Sequence, residues 1–293
     1  MMQRPLILIT GAAGQVGQAL IATSPPDIDI IALSRHQLNI CNFSAVMDTV
    51  AQIKPNWIIN AAAYTKVDHA ENDSDLAFSV NGDAPGYLAE ACLKVGAKLL
   101  HLSTDYIFDG QSSTPYKPTD IPNPINIYGE SKLRGEKNVQ QIMARDYAII
   151  RTAWVYDFTH RNFFTTMLRM MREQNQVRVV VDQVGTPTSA YSLAKLLWIA
   201  ICTGIEGIFH YTDAGVASWY DFAVAIELLG RKYKILEEET EIKPIYSCEF
   251  QTLAKRPIFS VLDKSLTWNT LSIDPQHWVN SLEQVYKQQL NIQ

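Results

Sequence analysis

Tyr128 and Lys132 are four residues apart, and their side chains could together deliver a proton. A free phenol is a poor acid, with a pKa of about 10, and a nearby ammonium group favours its ionised form. If the segment is helical, residues four apart lie on one face with their Cβ atoms about 5–6 Å apart. The spacing predicts a tuned proton donor, although the same pair is also common on solvated helix faces.

A glycine-rich segment, residues 11–17, has the spacing GxxGxxG and follows an apolar run, residues 6–10. Glycines allow a tight turn and let the backbone approach a pyrophosphate, which the N-terminus of the next helix also binds. This context predicts a dinucleotide site rather than a plain strand–helix turn. The predicted contacts are Gly11, Gly14, Gln15 and Val16.

The end of the second apolar run indicates which dinucleotide would bind. Folds that prefer NAD usually carry an acidic residue here, to hold the ribose 2′-hydroxyl. This chain instead has Ser34 and Arg35, and an arginine is well suited to a 2′-phosphate. We therefore expect NADPH, with NADH as the alternative.

The fourth apolar run ends in Ser103, Thr104, Asp105 and Tyr106. In open α/β sheets, ligands bind outside the carboxyl ends of the strands, so Thr104 is placed to hydrogen-bond a substrate oxygen. Thr104, Tyr128 and Lys132 together form a candidate carbonyl-reducing set. Thr104 would orient the carbonyl, Tyr128 would donate the proton, Lys132 would lower the pKa of Tyr128 and bind the nicotinamide ribose, and the cofactor would supply the hydride.

The elements that position these residues alternate between apolar runs and helical patterns. Continuous apolar runs bounded by turns are typical of parallel strands that are covered on both faces. The predicted strands are 6–10, 28–34, 57–63, 98–104 and 147–152, and the predicted helices are 14–22, 43–53, 75–95 and 128–143. The alternation predicts an α/β fold, a Rossmann-type doubly wound parallel sheet.

The second half of the chain is less regular. Its predicted strands are 178–181 and 208–211, and its predicted helices are 163–173 and 220–229. We expect an NADP-binding Rossmann domain over residues 1–152, which also receives strands from about 176–212. Residues 153–293 would mainly form a smaller, mixed α/β substrate-binding lobe. The polar segment 63–72 is a candidate active-site loop.

Composition narrows the class of protein. The 293 residues, with an apolar fraction of 47% and a net charge of −5, suit a globular protein without a basic face. No run approaches the roughly 18 apolar residues of a membrane span. The four cysteines are scattered, without metal-ligand spacing or a disulfide framework. We expect a cytoplasmic protein with no nucleic-acid or membrane partner.

A series of motifs runs through most of the chain. They are residues 14–17, 60–65, 67–68, 70–71, 103–110, 128–136, 151–156, 162–163, 182–183, 185–188, 218–220, 222–223 and 256–257. Together they resemble the dTDP-4-dehydrorhamnose reductase family of extended short-chain dehydrogenases/reductases. The resemblance implies NADPH-dependent reduction of the C4 ketone of a nucleotide sugar, dTDP-4-dehydro-β-L-rhamnose, in dTDP-rhamnose biosynthesis for cell-surface polysaccharide.

The resemblance also implies roles for individual residues. Those implied for the cofactor groove and its adenine end are Ala61, Ala62, Tyr64, Asn39 and Ile40. Those implied for the sugar nucleotide are Thr65, Asp105, Trp154, Asn162 and Arg256, although a tryptophan after a strand is also commonly a core residue. Some family members bind magnesium at a dimer interface through glutamates, for which this chain has no matching set. We therefore expect no essential metal, in a monomer or homodimer.

Several alternatives remain open. Related sugar-nucleotide dehydratases carry an Asp-Glu pair after the threonine, whereas here Tyr106 follows Asp105. An epimerase must keep its NAD tightly bound and reoxidise it. Arg35, which favours a 2′-phosphate, argues mildly against an NAD-dependent epimerase. Another nucleotide-sugar 4-ketoreductase would share the same residues. A non-catalytic NADP-binding regulatory subunit, like that of methionine adenosyltransferase, would not need the Thr-Tyr-Lys set.

Overall fold

A computed structural model describes residues 4–292 and confirms the α/β class. The strands are β1 (Leu6–Thr10), β2 (Asp29–Leu33), β3 (Trp57–Asn60), β4 (Lys98–Thr104), β5 (Tyr147–Thr152), β6 (Val155–Tyr156), β7 (Gln176–Val180), β8 (Val184–Gly185), β9 (Thr188–Ser189), β10 (Gly207–His210), β11 (Ala217–Ser218) and β12 (Glu241–Ile245). The helices are α1 (Gln15–Ala22), α2 (Phe43–Ile53), α3 (Val67–Ala70), α4 (Ser74–Phe78), α5 (Ala84–Val95), α6 (Ile127–Ile142), α7 (Phe163–Glu173), α8 (Ala190–Thr203), α9 (Trp219–Lys232), α10 (Ser265–Leu271) and α11 (Trp278–Ile292).

The central sheet is wholly parallel. Within the described residues it contains six strands in the order β2-β1-β3-β4-β5-β10. The strand order reverses between β1 and β3, which is the point where such sheets bind ligands. Gly11 follows β1 here with φ of +71°, and a Cβ on it would lie 2.6 Å from the backbone nitrogen of Ala62. Only glycine fits this left-handed turn and this close approach.

Both faces of the sheet are covered, which explains why the strands are apolar throughout. Ile7 and Ile9 of β1 belong to the buried cluster beneath α1 and α8. Leu8, between them, belongs to the cluster on the opposite face, beneath α2, α5 and α6. Alternate strand residues point to opposite faces, so a doubly covered strand needs apolar side chains at every position. Burying each such side chain stabilises the fold by about 1.5–3 kcal/mol.

A second, smaller core lies in the C-terminal half, as expected for a mixed α/β lobe. Phe164 of α7, Phe222 of α9 and Tyr286 of α11 are fully buried in it. Three strand pairs accompany these helices, β6 with β9, β7 with β12 and β8 with β11. Of the strands between residues 176 and 212, β10 lies in the central sheet, whereas β7 pairs with β12 outside it.

Two elements differ from the sequence expectation for local reasons. The strand predicted over 57–63 ends at Asn60, because the Asn60 side chain accepts hydrogen bonds from Thr10 Oγ1 at 2.8 Å and the Ala62 nitrogen at 3.2 Å. The helix predicted over 75–95 is divided by a π-helical turn, Ser79–Asp83. Within residues 4–292, no helix is long and apolar enough to cross a membrane.

Candidate active site

The helix α6 carries Tyr128 and Lys132, and its start is held at the carboxyl end of the sheet. Asn126 caps it, since its side chain accepts a 2.8 Å hydrogen bond from the Gly129 nitrogen. Glu71, in the predicted active-site loop, accepts a second bond from the Ile127 nitrogen at 3.0 Å. A Cβ on Gly129 would clash with the Tyr106 carbonyl. The first turn of α6 therefore packs closely onto the turn that follows β4.

Lys132 lies almost wholly inside the protein, with 2% of its surface exposed. Its Nζ donates a 2.6 Å hydrogen bond to the Leu102 carbonyl of β4. Burial lowers the pKa of the Lys132 ammonium to about 8, and the nearby Glu136 carboxylate opposes this shift. Burying an ammonium group costs free energy unless a hydrogen-bond acceptor or an opposite charge lies beside it.

Thr104 and Asp105 are hydrogen-bonded to each other at the end of β4, and the Tyr128 phenol lies near them. The Thr104 hydroxyl donates to Asp105 Oδ1 at 3.0 Å. The Tyr128 phenol lies close enough to both residues for each of them to shift its pKa. Asp105 itself is buried, and burial raises its pKa to about 6.

The expectation that Lys132 lowers the pKa of Tyr128 is wrong for this arrangement. Burial raises the pKa of the phenol, and the charge of Asp105 raises it further, opposed by the Thr104 hydrogen bond. The Lys132 ammonium is directed at Leu102 in the sheet instead. Tyr128 is consequently held in its protonated form at neutral pH, which is the form a proton donor requires.

The glycine-rich loop is shaped for an anionic ligand. The Gly14 nitrogen donates to the Gly11 carbonyl at 2.9 Å, which closes the turn before α1. Among residues 4–292, no side chain caps α1, so the N–H groups of its first turn remain available to a phosphate. Gln15 and Val16, which the sequence predicts as cofactor contacts, lie in that first turn.

The predicted adenine-end residues lie beside this loop. The Ala12 nitrogen donates to the Leu33 carbonyl at 3.1 Å, which joins the loop to the end of β2. The Ser34 hydroxyl donates to Gln37 at 2.8 Å, and Arg35 is exposed. Asn39 is exposed and its side chain accepts from the Cys41 nitrogen, whereas Ile40 is buried.

Asn81 joins α6 to the residues predicted to line the groove after β3. The sequence analysis did not predict a role for this asparagine. Asn81 lies in the π-helical turn and is 1% exposed. Its side chain accepts from the Tyr64 nitrogen at 2.8 Å and donates to the Tyr64 carbonyl at 3.0 Å and to Ser131 Oγ at 3.1 Å. An asparagine inside an apolar helical pattern was the available signal. Ala61 and Ala62, directly after β3, are partly exposed.

Arg256 reaches this edge of the sheet from the C-terminal half. Its guanidinium pairs with Asp68 Oδ2 at 2.6 Å and donates to the Tyr106 hydroxyl at 3.3 Å. The Tyr106 ring meets Tyr128 edge to face, with centroids 5.8 Å apart. Arg256 is thus one side chain away from Tyr128, and Thr65 is exposed just before α3, the short helix that contains Asp68.

Trp154 and Asn162 have well-defined partners. Trp154 has a left-handed backbone, φ +49°, and its partly exposed ring stacks on Trp219 at a centroid distance of 3.4 Å. Trp154 is therefore neither fully buried in the core nor unpaired at the surface. The sequence analysis did not single out its partner, Trp219. Asn162 caps α7 and donates to Gln15 Oε1 at 2.8 Å. Among residues 4–292, no group of three or more His, Cys, Asp or Glu side chains is arranged to hold a metal ion.

Comparisons with known proteins agree with this architecture. Residues 4–291 match the family model described as RmlD substrate binding domain. The dTDP-4-dehydrorhamnose reductase of Aggregatibacter actinomycetemcomitans is 39% identical over 288 residues, which cover 95% of this chain and 97% of that protein.

Two crystal structures show the same fold over nearly the whole chain. A dTDP-4-dehydrorhamnose reductase from Clostridium acetobutylicum has a TM-score of 0.92 at 38% identity, covering 98% of this chain and 99% of that one. The enzyme from Bacillus anthracis, in complex with NADP, has a TM-score of 0.92 at 35% identity, covering 97% and 99%. The chain belongs to the RmlD substrate binding domain family, together with these dTDP-4-dehydrorhamnose reductases.

Proposed function

We propose that the protein is an NADPH-dependent dTDP-4-dehydrorhamnose reductase. It would reduce the C4 ketone of dTDP-4-dehydro-β-L-rhamnose to the alcohol, yielding dTDP-β-L-rhamnose and NADP⁺. The observation that carries this proposal is the placement of Tyr128 and Lys132 at the carboxyl end of β4, where Lys132 Nζ donates to the Leu102 carbonyl and the Tyr128 ring meets Tyr106 edge to face. Tyr128 lies at the same edge of the sheet as the glycine-rich loop.

The residues of the groove fit NADPH. Gly11 leaves no room for a side chain against Ala62, and the uncapped first turn of α1 presents N–H groups to a diphosphate. The residues assigned to the cofactor are Gly11, Gly14, Gln15, Val16, Ser34, Arg35, Asn39, Ile40, Ala61, Ala62, Tyr64, Tyr128 and Lys132. NADPH supplies the hydride that this reduction needs.

The chain's own residues supply the proton. Thr104 holds the ketone oxygen, and Tyr128 transfers its phenolic proton to that oxygen as the C4 carbon is reduced. The Lys132 ammonium, buried in the same helix one turn later, would bind the nicotinamide ribose. General-acid catalysis of this kind contributes about 10²–10⁴ in rate.

The C-terminal half would hold the sugar nucleotide. The assigned contacts are Thr65, Asp105, Trp154, Asn162 and Arg256. Arg256 supports this assignment best, because its cation lies next to Tyr106 and hence close to Tyr128. In this proposal residues 1–152, with β10, form the cofactor domain, and residues 153–293 mainly form the substrate lobe. A cytoplasmic monomer or homodimer remains our expectation.

A coupled assay tests the proposal. The 4-keto-L-sugar is generated enzymatically on dTDP, UDP and GDP carriers, and NADPH oxidation is followed by absorbance. We expect oxidation with the dTDP-linked substrate and a product with rhamno stereochemistry by NMR. A product with another configuration would indicate a different 4-ketoreductase. NADPH binding without oxidation of any substrate would contradict the enzyme assignment and favour a regulatory subunit.

A further inference from the structure

A short loop from the C-terminal half lies against the glycine-rich loop. This inter-lobe strap, residues 157–162, connects β6 to α7. His160 Nε2 lies 3.0 Å from the carbonyl oxygen of Ala13, and Asn162 Nδ2 donates to Gln15 Oε1 at 2.8 Å. Each pair is 147 residues apart in the chain. The strap thus contacts the turn and the first helical residue that would cradle the cofactor diphosphate.

The orientation of the Asn162 amide is determined by its partners. Its Oδ1 accepts from the Thr165 nitrogen at 3.0 Å, which caps α7. Its Nδ2 faces oxygen acceptors, the Asp157 carbonyl at 2.9 Å and Gln15 Oε1 at 2.8 Å. A flipped amide would place oxygen against oxygen. Gln15 consequently receives its hydrogen bond at Oε1 and keeps both of its N–H donors for other partners.

The His160 ring is held in an equally definite way. A backbone carbonyl only accepts hydrogen bonds, so His160 Nε2 must carry a proton and donate it to Ala13. Nδ1 lies against the Asp157 carboxylate, whose side chain is 7% exposed. Asp157 Oδ1 also accepts from the His160 nitrogen at 2.8 Å and the Thr159 nitrogen at 3.2 Å. The strap is therefore a rigid turn that presents one N–H to the glycine-rich loop.

A contact of this kind should matter most for a glycine-rich loop, because such a loop loses much conformational entropy when it is ordered. Glycines lose more conformational freedom on ordering than other residues, so a loop containing Gly11, Gly14 and Gly17 is costly to fix when a ligand binds. An outside contact that already holds Ala13 and Gln15 removes part of this cost before binding, and preorganisation of this kind raises affinity.

We propose that His160 and Asn162 are positioning residues, which act from the substrate lobe to hold the glycine-rich loop in its diphosphate-binding conformation. The proposal rests on NADPH being the cofactor, as proposed above. It makes the dinucleotide affinity depend on a loop that lies outside the sheet and its glycine motif. It also gives Asn162 a role on the cofactor side of the site, in addition to the sugar-nucleotide contact proposed above.

A matched pair of substitutions at His160 tests the contact. In His160→Gln the amide nitrogen takes the place of Nε2 and can still donate to Ala13, whereas His160→Asn keeps a polar group near Asp157 but is too short to reach Ala13. We expect His160→Asn to raise the Kd for NADPH roughly five- to tenfold, on the scale of one hydrogen bond, and His160→Gln to restore most of it. His277→Gln, an exposed histidine in another part of the lobe, is the control.

The variant Asn162→Ser tests the second contact without removing the helix cap, because a serine hydroxyl still accepts from the Thr165 nitrogen. We expect a several-fold weaker NADPH affinity and a smaller change in the KM for the sugar nucleotide. Combined with Gln15→Ala, the second substitution should add little, since both remove the same hydrogen bond. Additive effects, or a change confined to the KM of the sugar nucleotide, would overturn the proposal.

The binding measurements distinguish a failure of the strap proposal from a failure of the proposed function. Binding is measured by fluorescence titration of NADPH with the full chain, alongside thermal unfolding without ligand. Wild-type protein that fails to bind NADPH would contradict the proposed function. Wild-type binding with equal affinities in all strap variants would overturn the strap alone, as would a loss of affinity in His160→Asn that His160→Gln shares fully.

Discussion

The Nζ of Lys132 donates a 2.6 Å hydrogen bond to the carbonyl oxygen of Leu102. Lys132 lies in α6, one turn after Tyr128, and Leu102 lies in β4, two residues before Thr104. The bond therefore ties the helix that carries Tyr128 to the strand that carries Thr104. It also explains why a lysine can be buried here, since the carbonyl dipole offsets part of the desolvation cost.

Replacing Lys132 by Met should raise the stability of the protein near neutral pH and lower its activity. The pKa of Lys132 is lowered to about 8 in the folded protein, below its unfolded value near 10.4, so the unfolded state binds more protons between these values. Wild-type stability should thus rise with pH across this window, by at most about 3 kcal/mol. We expect Lys132→Met to remove that rise while lowering kcat at least tenfold.

Thermal unfolding of both proteins at pH 7.5 and pH 10 measures this effect. The variant should be the more stable protein at the lower pH, and the difference should shrink at the higher one. Equal slopes in the two proteins would show that the ammonium is not desolvated in the folded state.

Replacing Tyr128 by Phe removes the phenolic proton and keeps the ring. Because burial holds the phenol protonated, we expect kcat to fall at least about a hundredfold, the scale of general-acid catalysis. The Kd for NADPH should change little, which a fluorescence titration measures. Tyr246→Phe, at a tyrosine that is 62% exposed, is the matched control. Near-normal turnover in Tyr128→Phe would rule out the proton-donor role.

Cofactor choice should depend on Arg35. Its side chain is exposed just after β2, beside the glycine-rich loop, where a 2′-phosphate would lie. Charged hydrogen bonds contribute about 1.5–3 kcal/mol, so Arg35→Ala should weaken NADPH about tenfold or more and leave NADH nearly unchanged. Arg145→Ala, with a side chain 84% exposed in wild type, provides the comparison. Similar losses for both cofactors would argue against a 2′-phosphate contact.

Asp213 should make the fold less stable as the pH rises. It is 1% exposed, its Oδ2 accepts from the Ser189 nitrogen at 3.0 Å, and burial raises its pKa to about 6. Between about pH 4 and pH 6 the folded state holds a proton that the unfolded state has lost, so stability falls across this window. Asp213→Asn keeps the acceptor and should remove up to about 3 kcal/mol of that fall.

Urea unfolding at pH 4.5 and pH 7 measures the difference between Asp213→Asn and wild type. Asp48→Asn, at an exposed carboxylate, serves as the control. If the Asp213 variant shows the same pH dependence as wild type, the carboxyl group is ionised in the folded protein at both pH values.

Local sequence signals predicted the elements whose causes are local. The strands over 98–104 and 147–152 and the helices over 43–53 and 163–173 have the predicted bounds. Their apolar runs are continuous, and Asn42 and Asn162 cap the two helices with side-chain hydrogen bonds. The π-helical turn at Ser79–Asp83 was not predictable in this way, because it depends on α6 packing against it through Gly135.

The sequence by itself determined the α/β class, the glycine-rich loop after β1 and the identities of Thr104, Tyr128 and Lys132, because each follows from residue type and short spacing. Only the tertiary structure decided the protonation of Tyr128, the partner of Lys132 and the contacts of His160 and Asn162. Those properties depend on burial and on hydrogen bonds between residues as many as 147 positions apart. Such contacts arise when the two halves pack together, and no local pattern reports them.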